Sequence, residues 1–188
     1  MGNKKFLIGI TGLPGCGKTE VLKVFEEEGF FIIEGDKIAH EIFEENREEI
    51  EKIFNKKGIT RKEVAEIIFE NLEKKRRFES FIHPLLLERI FGLIQNINFP
   101  YIVVEGTLLF ELSTEEKFDL IITVTSDLSS IYERMKKKGF KEDIIKSMIN
   151  SCFSQDEKIK RADICVDNRG TLSDLKRKVK RLCKMIKR

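Results

Sequence analysis

The stretch Gly12-Leu13-Pro14-Gly15-Cys16-Gly17-Lys18-Thr19 decides the fold of this chain and points to its chemistry. It fits the pattern G-x-x-x-x-G-K-[S/T], whose glycines let backbone N–H groups curl around phosphate oxygens because no Cβ stands in the way. The apolar run Lys5 to Ile10 precedes the stretch, and an amphipathic run from Val21 to Phe25 follows it. A strand, a loop and a helix in that order form the setting in which such a loop binds phosphate. The sequence therefore predicts that the residues of this stretch bind a nucleotide.

Two side chains of this phosphate-binding loop have predicted roles of their own. Lys18 reaches the β- and γ-phosphates as a mobile point charge, and the Thr19 hydroxyl binds Mg²⁺. The helix that begins near Gly17 adds the positive end of its dipole. The competing interpretation is a glycine-rich turn that binds nothing.

A phosphate-binding loop occurs in switch GTPases, in motor ATPases and in small-molecule kinases, so other residues must separate these classes. The string Asn55-Lys56-Lys57-Gly58 is the nearest to a guanine-binding Asn-Lys-x-Asp. It lacks the Asp and comes too early in the chain, which disfavours a GTPase.

The length and composition indicate one folded domain. The chain has 188 residues, 41% of them hydrophobic and 36% charged, which suits a protein with an apolar core and excludes wholesale disorder. No apolar run approaches the roughly 18 to 20 residues of a membrane span, and no signal-peptide pattern is present, so the expected location is the cytoplasm. Four scattered cysteines without metal-ligand spacing predict free thiols: Cys16, Cys152, Cys165 and Cys183.

Strand-like and helix-like segments alternate along the chain. Short buried strands are predicted at Lys5 to Ile10, Phe30 to Ile33, Tyr101 to Val104, Leu120 to Val124 and Ile164 to Val166. Between the second and third strands, apolar residues recur at helical spacing over more residues than one crossover requires. The pattern predicts an α/β fold of three layers, in which helices cover both faces of a five-stranded parallel sheet.

The last helix is strongly basic. Lys176 to Arg188 holds eight Lys or Arg and no acid, within a chain whose net charge is 35 − 32 = +3. Its apolar residues form one stripe that is predicted to be buried: Leu172, Leu175, Val179, Leu182 and Ile186. A helix docked on the sheet with a solvated cationic face is the favoured interpretation, and contact with nucleic acid or a membrane surface is the alternative.

Asp36 follows the second predicted strand by three residues, which places it at the carboxyl end of the sheet. A carboxylate there can accept the proton of an attacking hydroxyl or hold a Mg²⁺-bound water. It can equally serve as the N-cap of the following helix. The spacing leaves both interpretations open.

Four further strings, in this order along the chain, resemble the dephospho-CoA kinase family. Glu34-Gly35-Asp36-Lys37-Ile38-Ala39 is similar to the family's Asp-Ala-Asp-x-Ile-Ala, and His83-Pro84-Leu85 to its His-Pro-Leu. Thr107-Leu108-Leu109-Phe110-Glu111 is similar to Pro-Leu-Leu-Phe-Glu. Arg161-Ala162-Asp163 with Asp167-Asn168-Arg169-Gly170 resembles Arg-Ala-Asp-x-x-x-Asp-Asn-x-Gly. With the phosphate-binding loop, the resemblance runs from about Ile8 to Gly170.

The resemblance implies transfer of the ATP γ-phosphate to the ribose 3′-hydroxyl of dephospho-CoA, with Mg²⁺, giving CoA and ADP. It makes Asp36 the general base and places His83 in the coenzyme-binding region, where a helix-start histidine is the alternative. Arg61 resembles an arginine that contacts substrate phosphates. Glu105 resembles an acid near metal and substrate, with a polar loop residue as the alternative.

The resemblance also assigns two residues to the nucleotide. Arg134 matches an arginine that touches phosphates from the lid side and is the predicted third catalytic residue beside Lys18 and Asp36. Asn168 is expected to frame the adenine ring, although Asp167 to Gly170 is also a good turn by itself.

The predicted layout is a single kinase domain. Its core covers about 1–58, 99–135 and 156–188, a helical coenzyme-binding insertion covers about 59–98, and a lid covers about 136–155. The chain departs from the family at Met148 and Cys152, where the lid helix usually carries Arg and Gln. It also departs at Glu34, His40 and Thr107, where Asp, Arg and Pro are usual.

Two rival functions remain at this point. Another small-molecule kinase, for a nucleoside, a nucleotide or a sugar acid, would use the same loop and lid but has no need of the insertion with His83. A nucleotide-dependent binding protein would use the basic tail on nucleic acid, a partner that the sequence disfavours. The expected partner is the small molecule dephospho-CoA, without a membrane.

Overall fold

The computed structural model describes residues 5–187, without the side chain of Phe69. The chain forms two compact units. The first unit consists of the chain up to Glu34 and from Asn98 onward, and the second consists of Gly35–Ile97.

The first unit is built on a five-stranded sheet in which every pairing of neighbouring strands is parallel. The strands are β1 (Phe6–Thr11), β2 (Phe31–Glu34), β3 (Tyr101–Glu105), β4 (Leu120–Thr125) and β5 (Ile164–Asp167). Their order across the sheet is β2-β3-β1-β4-β5, so the strand that enters the phosphate-binding loop lies at the centre. The predicted fold class is confirmed, and each predicted strand is found within one residue of its expected start.

The helices are α1 (Lys18–Glu27), α2 (Gly35–Glu45), α3 (Arg47–Phe54), α4 (Arg61–Glu70), α5 (Leu72–Asn96), α6 (Leu128–Lys137), α7 (Glu142–Asn150), α8 (Gln155–Arg161) and α9 (Leu172–Ile186). A short 3₁₀ helix occupies Glu115–Lys117. Helices α1 and α6 to α9 belong to the first unit, and α2 to α5 form the second.

The core of the first unit lies between the sheet and its helices. Fully buried strand residues such as Ile8 and Ile122 meet Phe25 of α1 and Val179 of α9 in one apolar cluster. Residues without water-exposed surface make the largest hydrophobic contribution to stability. The apolar cluster extends into the phosphate-binding loop, because Cys16 of the loop belongs to the cluster.

Helix α9 packs against α1 and β5 through a buried stripe, as its periodicity predicts. Its N-terminus is closed by a capping box in which Thr171 and Asp174 bind each other's backbone N–H groups. The prediction is wrong for Leu172, which is 51% exposed because it lies in the first turn, before the helix reaches the core. The basic side chains of residues 176–184 lie mostly on the exposed side.

The second unit is entirely helical. Helices α2, α3 and α4 each pack on the long helix α5 through buried isoleucine, valine and phenylalanine side chains. The unit begins at Gly35, whereas the sequence predicts that the helical insertion begins at about residue 59. The reason is that α2 and α3 bury their apolar faces against α5 of this unit.

No helix in the described part of the chain is both long enough and apolar enough to cross a membrane. The four cysteines are free, as predicted, and two of them, Cys16 and Cys183, are buried.

Candidate active site

The phosphate-binding loop connects the central strand β1 to α1 through a backbone that only glycine fits. Gly12 and Gly17 have φ angles of 144° and 107°. A Cβ on Gly12 would lie 2.3 Å from the backbone oxygen of Val124, and one on Gly17 would lie 2.1 Å from Nδ2 of Asn168. The glycines are therefore required both by the backbone angles and by the close approach of β4 and of the segment after β5.

Lys18 is folded back over this loop. Its Nζ donates hydrogen bonds to the backbone oxygens of Gly12 at 3.0 Å and Leu13 at 3.3 Å. It also lies 3.6 Å from Oε1 of Glu105. The side chain is buried, the bond to Gly12 has an ordinary length, and the oxygens of Leu13 and Glu105 lie beyond the usual range of hydrogen-bond distances. An anionic phosphate can therefore replace these carbonyl partners without breaking a short charged hydrogen bond.

Glu105 is the last residue of β3 and is only 6% exposed. Its neighbours across the sheet are Ile10 of β1 and Glu34 of β2. The interpretation of Glu105 as a polar loop residue is wrong, because the residue belongs to the strand and its carboxylate faces the lysine of the phosphate-binding loop.

Arg134 binds the backbone of the loop at Gly15 and Cys16. From α6, its guanidinium donates to the backbone oxygens of Gly15 at 3.2 Å and Cys16 at 3.3 Å, and to Oγ of Ser126 at 3.1 Å. A second nitrogen lies 3.5 Å from the backbone oxygen of Asn168. The positive charge thus lies directly at the loop, on a helix that precedes the predicted lid.

Asn168 also binds the loop at Cys16. Its Nδ2 donates to the backbone oxygen of Cys16 at 2.8 Å, and the side chain is 7% exposed. The amide therefore closes the loop against the segment after β5. Its expected contact with adenine stays a prediction for the amide oxygen, because the backbone N–H of Asn168 donates to Thr125 at 2.8 Å and its backbone oxygen accepts from Ser126.

Cys16 contributes to the site through its backbone. Its thiol is buried in the apolar core, and this burial raises the pKa of the thiol above its ordinary value, so the sulfur stays protonated. Its carbonyl oxygen accepts from both Arg134 and Asn168.

Thr19 is the candidate ligand for Mg²⁺. It is exposed in the first turn of α1, where its hydroxyl offers one hard oxygen. Among residues 5–187 no group of three or more His, Cys, Asp or Glu side chains could hold a metal ion. Magnesium in nucleotide sites takes one or two protein oxygens and completes its shell with phosphates and water, so a single hydroxyl fits this ion.

Three predicted substrate residues belong to the helical unit. Asp36 is exposed and is the second residue of α2, in its first turn. The N-cap interpretation of Asp36 is wrong, because the helix already begins at Gly35. Arg61 is exposed at the start of α4, directly after a capping box between Thr60 and Glu63.

His83 lies in the middle of α5, one residue before Pro84, so it is not a helix-start histidine. It is partly buried, and this burial lowers the pKa of the imidazole below its ordinary value of 6.5, although nearby Glu79 opposes the shift. The ring is therefore mainly neutral at pH 7 and can both donate and accept a hydrogen bond.

The predicted lid contains α7, whose Ile145 is fully buried in the core of the first unit. Met148 and Cys152, at the positions where the family usually has Arg and Gln, pack against the same core. Lys136 pairs with Glu142 at 2.6 Å on the surface. The two departures thus replace polar side chains by groups that anchor the helix.

Sequence reasoning missed several residues that support the site. Ser126, at the end of β4, accepts a hydrogen bond from Arg134 and donates to the backbone oxygen of Asn168. Lys158 and Glu111 form a buried ion pair beside the turn that follows β3. Only the position of Glu111 in a family-like string gave a signal. Lys158 lies in a charged run that is typical of an exposed helix.

Comparisons with known proteins agree with this geometry. The family model described as dephospho-CoA kinase matches residues 6–174. A dephospho-CoA kinase of Fusobacterium nucleatum is 36% identical over 96% of this chain and 98% of its own length.

Solved structures give the same result. A dephospho-CoA kinase from Campylobacter jejuni superposes with a TM-score of 0.70 at 30% identity, over 96% of each chain. The protein TT1252 from Thermus thermophilus superposes with a TM-score of 0.84 at 25% identity, over 97% of this chain and 98% of its own. The matches in sequence and in structure extend over nearly the whole chain, and they include the loop with Lys18. The chain therefore belongs to the dephospho-CoA kinase family.

Proposed function

We propose that this kinase transfers the γ-phosphate of ATP to the ribose 3′-hydroxyl of dephospho-CoA, giving CoA and ADP. The observation that carries the proposal is Lys18, a buried cation bound by the neutral backbone oxygens of Gly12 and Leu13 at the loop between β1 and α1. In a chain of this family, such a cation is ready to exchange its carbonyl partners for phosphate oxygens.

Each loop residue has a part in binding ATP. Backbone N–H groups around Gly15, Gly17, Lys18 and Thr19 would surround the phosphates, and the N-terminal dipole of α1 would add to their attraction. Arg134 keeps the carbonyls of Gly15 and Cys16 turned toward its own guanidinium and so fixes the backbone of the loop at these two residues. Positioning and electrostatic stabilisation of this kind account for most of the catalysis in phosphoryl transfer.

The Thr19 hydroxyl would hold Mg²⁺, which neutralises charge on the β- and γ-phosphates when bound. Glu105, which faces Lys18, would keep the side chain of that lysine oriented toward the loop. Asn168 binds the backbone oxygen of Cys16 and would present its amide oxygen to the adenine ring.

On the acceptor side, Asp36 would orient the 3′-hydroxyl and take its proton. Its carboxylate is exposed and lies two residues after the end of β2. Arg61 would contact acidic groups of the acceptor, and neutral His83 would bind the coenzyme within the helical unit. This unit supplies the predicted discrimination against nucleosides, nucleotides and sugar acids.

The predicted lid lacks two polar residues that the family usually has, at Met148 and Cys152. With Met148 and Cys152 packed into the core, α7 does not supply the family's usual arginine to the phosphates. Lys18 and Arg134 therefore provide the protein's positive charge at the loop.

The direct test is an acceptor screen. Purified protein is incubated with ATP and Mg²⁺, and ADP release is compared for dephospho-CoA, AMP, adenosine, a sugar acid and no acceptor. We expect release only with dephospho-CoA, together with a product that has gained one phosphate by mass. Stimulation by a different acceptor would replace the proposed substrate, and acceptor-independent hydrolysis would favour a nucleotide-dependent binding protein.

The role of Asp36 is tested by Asp36→Asn, with Glu41→Gln as the matched control on an exposed position of the same helix. General-base catalysis contributes about 10²- to 10⁴-fold, so we expect a loss of kcat in this range with nearly unchanged affinity for ATP. Near-normal kcat in Asp36→Asn would remove this residue from the chemistry.

A further inference from the structure

The most deeply buried charge of the first unit lies outside the residues assigned so far. Lys158 of α8 has no exposed surface. Its Nζ donates to the backbone oxygen of Thr107 at 2.8 Å and to the two carboxylate oxygens of Glu111 at 2.8 and 3.0 Å. All three ammonium protons are therefore used, in short hydrogen bonds to a single turn of the chain.

That turn follows β3 directly and is hydrogen-bonded to the end of β1, where the phosphate-binding loop begins. The backbone oxygen of Thr107 also accepts from Oγ1 of Thr11 at 3.1 Å, the residue directly before Gly12. The N–H of Gly106 donates to the backbone oxygen of Ile10 at 3.0 Å. Lys158 and Thr11 thus bind the same backbone oxygen, that of Thr107, and Thr11 is the residue directly before the phosphate-binding loop.

Glu111 connects the same turn to the predicted lid. Its Oε1 accepts from the backbone N–H of Phe153 at 2.7 Å, between the end of α7 and the start of α8. One carboxylate thereby holds the C-terminal end of the lid, the lysine of α8 and the turn after β3.

Stability alone does not explain a charge pair at this place. Taking a lysine and a glutamate out of water is costly, and apolar residues of similar volume are often as stable as a buried ion pair, or more so. A pair of apolar side chains would nevertheless leave the N–H of Phe153 and the oxygen of Thr107 without these partners. The pair of Lys158 and Glu111 is therefore suited to holding the backbone at Thr107 and Phe153 in place.

We propose that Lys158 and Glu111 are positioning residues for phosphoryl transfer. Together they hold the turn at residues 106–111 and the segment between α7 and α8 in fixed places relative to the phosphate-binding loop. The effect on turnover rests on the proposed function, whereas the effect on the turn does not depend on it.

The test uses the double variant Lys158→Met/Glu111→Leu, which removes both charges and leaves neither one buried alone. Its matched control is Lys52→Met/Glu49→Leu, the same exchange in an exposed pair of α3. Misplacement by about 1 Å can cost roughly a hundredfold in rate. We expect a melting temperature close to that of the parent, a KM for ATP within about threefold and a kcat at least about tenfold lower.

A second measurement separates this inference from the proposed function. Amide hydrogen exchange is followed in residues 106–111 and at Phe153, with a non-hydrolysable ATP analogue bound. We expect about tenfold faster exchange in the double variant, and no change in the control pair. If the parent protein phosphorylates no dephospho-CoA, the proposed function fails, and the exchange rates still decide the positioning role.

Either of two results would overturn the inference: parental kcat in a stable double variant, or parental exchange in the turn. If the double variant does not fold, Lys158→Met/Glu111→Gln decides instead. This variant leaves no charge buried alone and keeps an acceptor for the N–H of Phe153, but it loses the contacts of the lysine, so kcat falls at unchanged KM. An unchanged kcat in this variant would then reject the positioning role.

Discussion

Two buried lysines of the first unit face glutamates of the same chain segment, yet they are bound in opposite ways. Lys18 lies 3.6 Å from Glu105 and otherwise contacts backbone carbonyls at 3.0 and 3.3 Å. Lys158 binds both oxygens of Glu111 and the oxygen of Thr107 at 2.8 to 3.0 Å. A lysine that must take up a ligand keeps exchangeable partners, and a lysine that fixes structure has every proton satisfied.

The largest effect is expected from Lys158→Met. This change leaves the carboxylate of Glu111 buried without its cation, which costs about 3 to 5 kcal/mol of unfolding free energy. Chemical denaturation followed by circular dichroism measures the loss.

The control is Lys136→Met, in an exposed pair whose lysine and glutamate side chains are 52% and 69% accessible. Such pairs contribute roughly 1 kcal/mol or less. Equal losses at the buried and the exposed pair would contradict the comparison.

Lys18→Ala is expected to show the reverse pattern. Removing a preorganised donor from a charged transition state costs about 10²- to 10³-fold in kcat. The melting temperature should fall less than in Lys158→Met, because Lys18 makes no short hydrogen bond to Glu105. Steady-state kinetics and thermal melts of the two variants side by side would sharpen the contrast, and retained turnover would remove Lys18 from the phosphate site.

Gly17→Ala tests the loop that holds Lys18 in its exchangeable position. The new Cβ would meet Nδ2 of Asn168 at 2.1 Å, on a backbone with a φ of 107°. We expect about 1 to 3 kcal/mol lower stability from the strained backbone and weaker ATP binding by calorimetry.

The matched control for this variant is Gly58→Ala. Gly58 also has a positive φ, 65°, but has no neighbouring atom within 4 Å of the new Cβ. Its variant should show backbone strain without loss of ATP binding. Equal ATP affinities in the two variants would show that the contact with Asn168 does not shape the site.

The smallest effect concerns His83, a partly buried ionisable group in the helical unit. Burial lowers the pKa of this imidazole, so below about pH 6.5 the unfolded chain binds a proton more readily than the folded protein. The free energy of unfolding should therefore decrease as the pH falls through this range. In His83→Gln the decrease should be shallower, and a parental slope in this variant would contradict the prediction. Urea unfolding at several pH values measures the slopes.

The sequence was most informative where function and local geometry coincide. The loop Gly12 to Thr19 predicts its own setting, because its glycines, lysine and hydroxyl make sense only between a strand and a helix. Strand positions were also readable, since central parallel strands are short and apolar. Asp36 was found from its spacing and from the family resemblance, but its place inside the first turn of α2 was not.

Lys158 shows why part of the site could not be predicted from the sequence. In α8 this lysine is fully buried, whereas the next residue, Ile159, is 38% exposed. Hydrophobicity along the helix predicts the opposite arrangement. The inversion depends on Glu111, which lies 47 residues earlier in the chain. Ser126 escaped notice for the same reason, since its partners Arg134 and Asn168 meet it only in the folded unit.

By itself, the sequence determined a parallel α/β sheet, a nucleotide phosphate site at Gly12 to Thr19 and membership of a kinase family, because these follow from local backbone requirements and residue order. Tertiary structure decided which charges are buried and how each is held. It placed Arg134 and Asn168 on the loop carbonyls, gave Lys18 exchangeable partners and gave Lys158 fixed ones. The physical reason is that the solvation and pairing of a charge depend on the residues that surround it in space, and for Lys18 and Lys158 these come from distant parts of the chain.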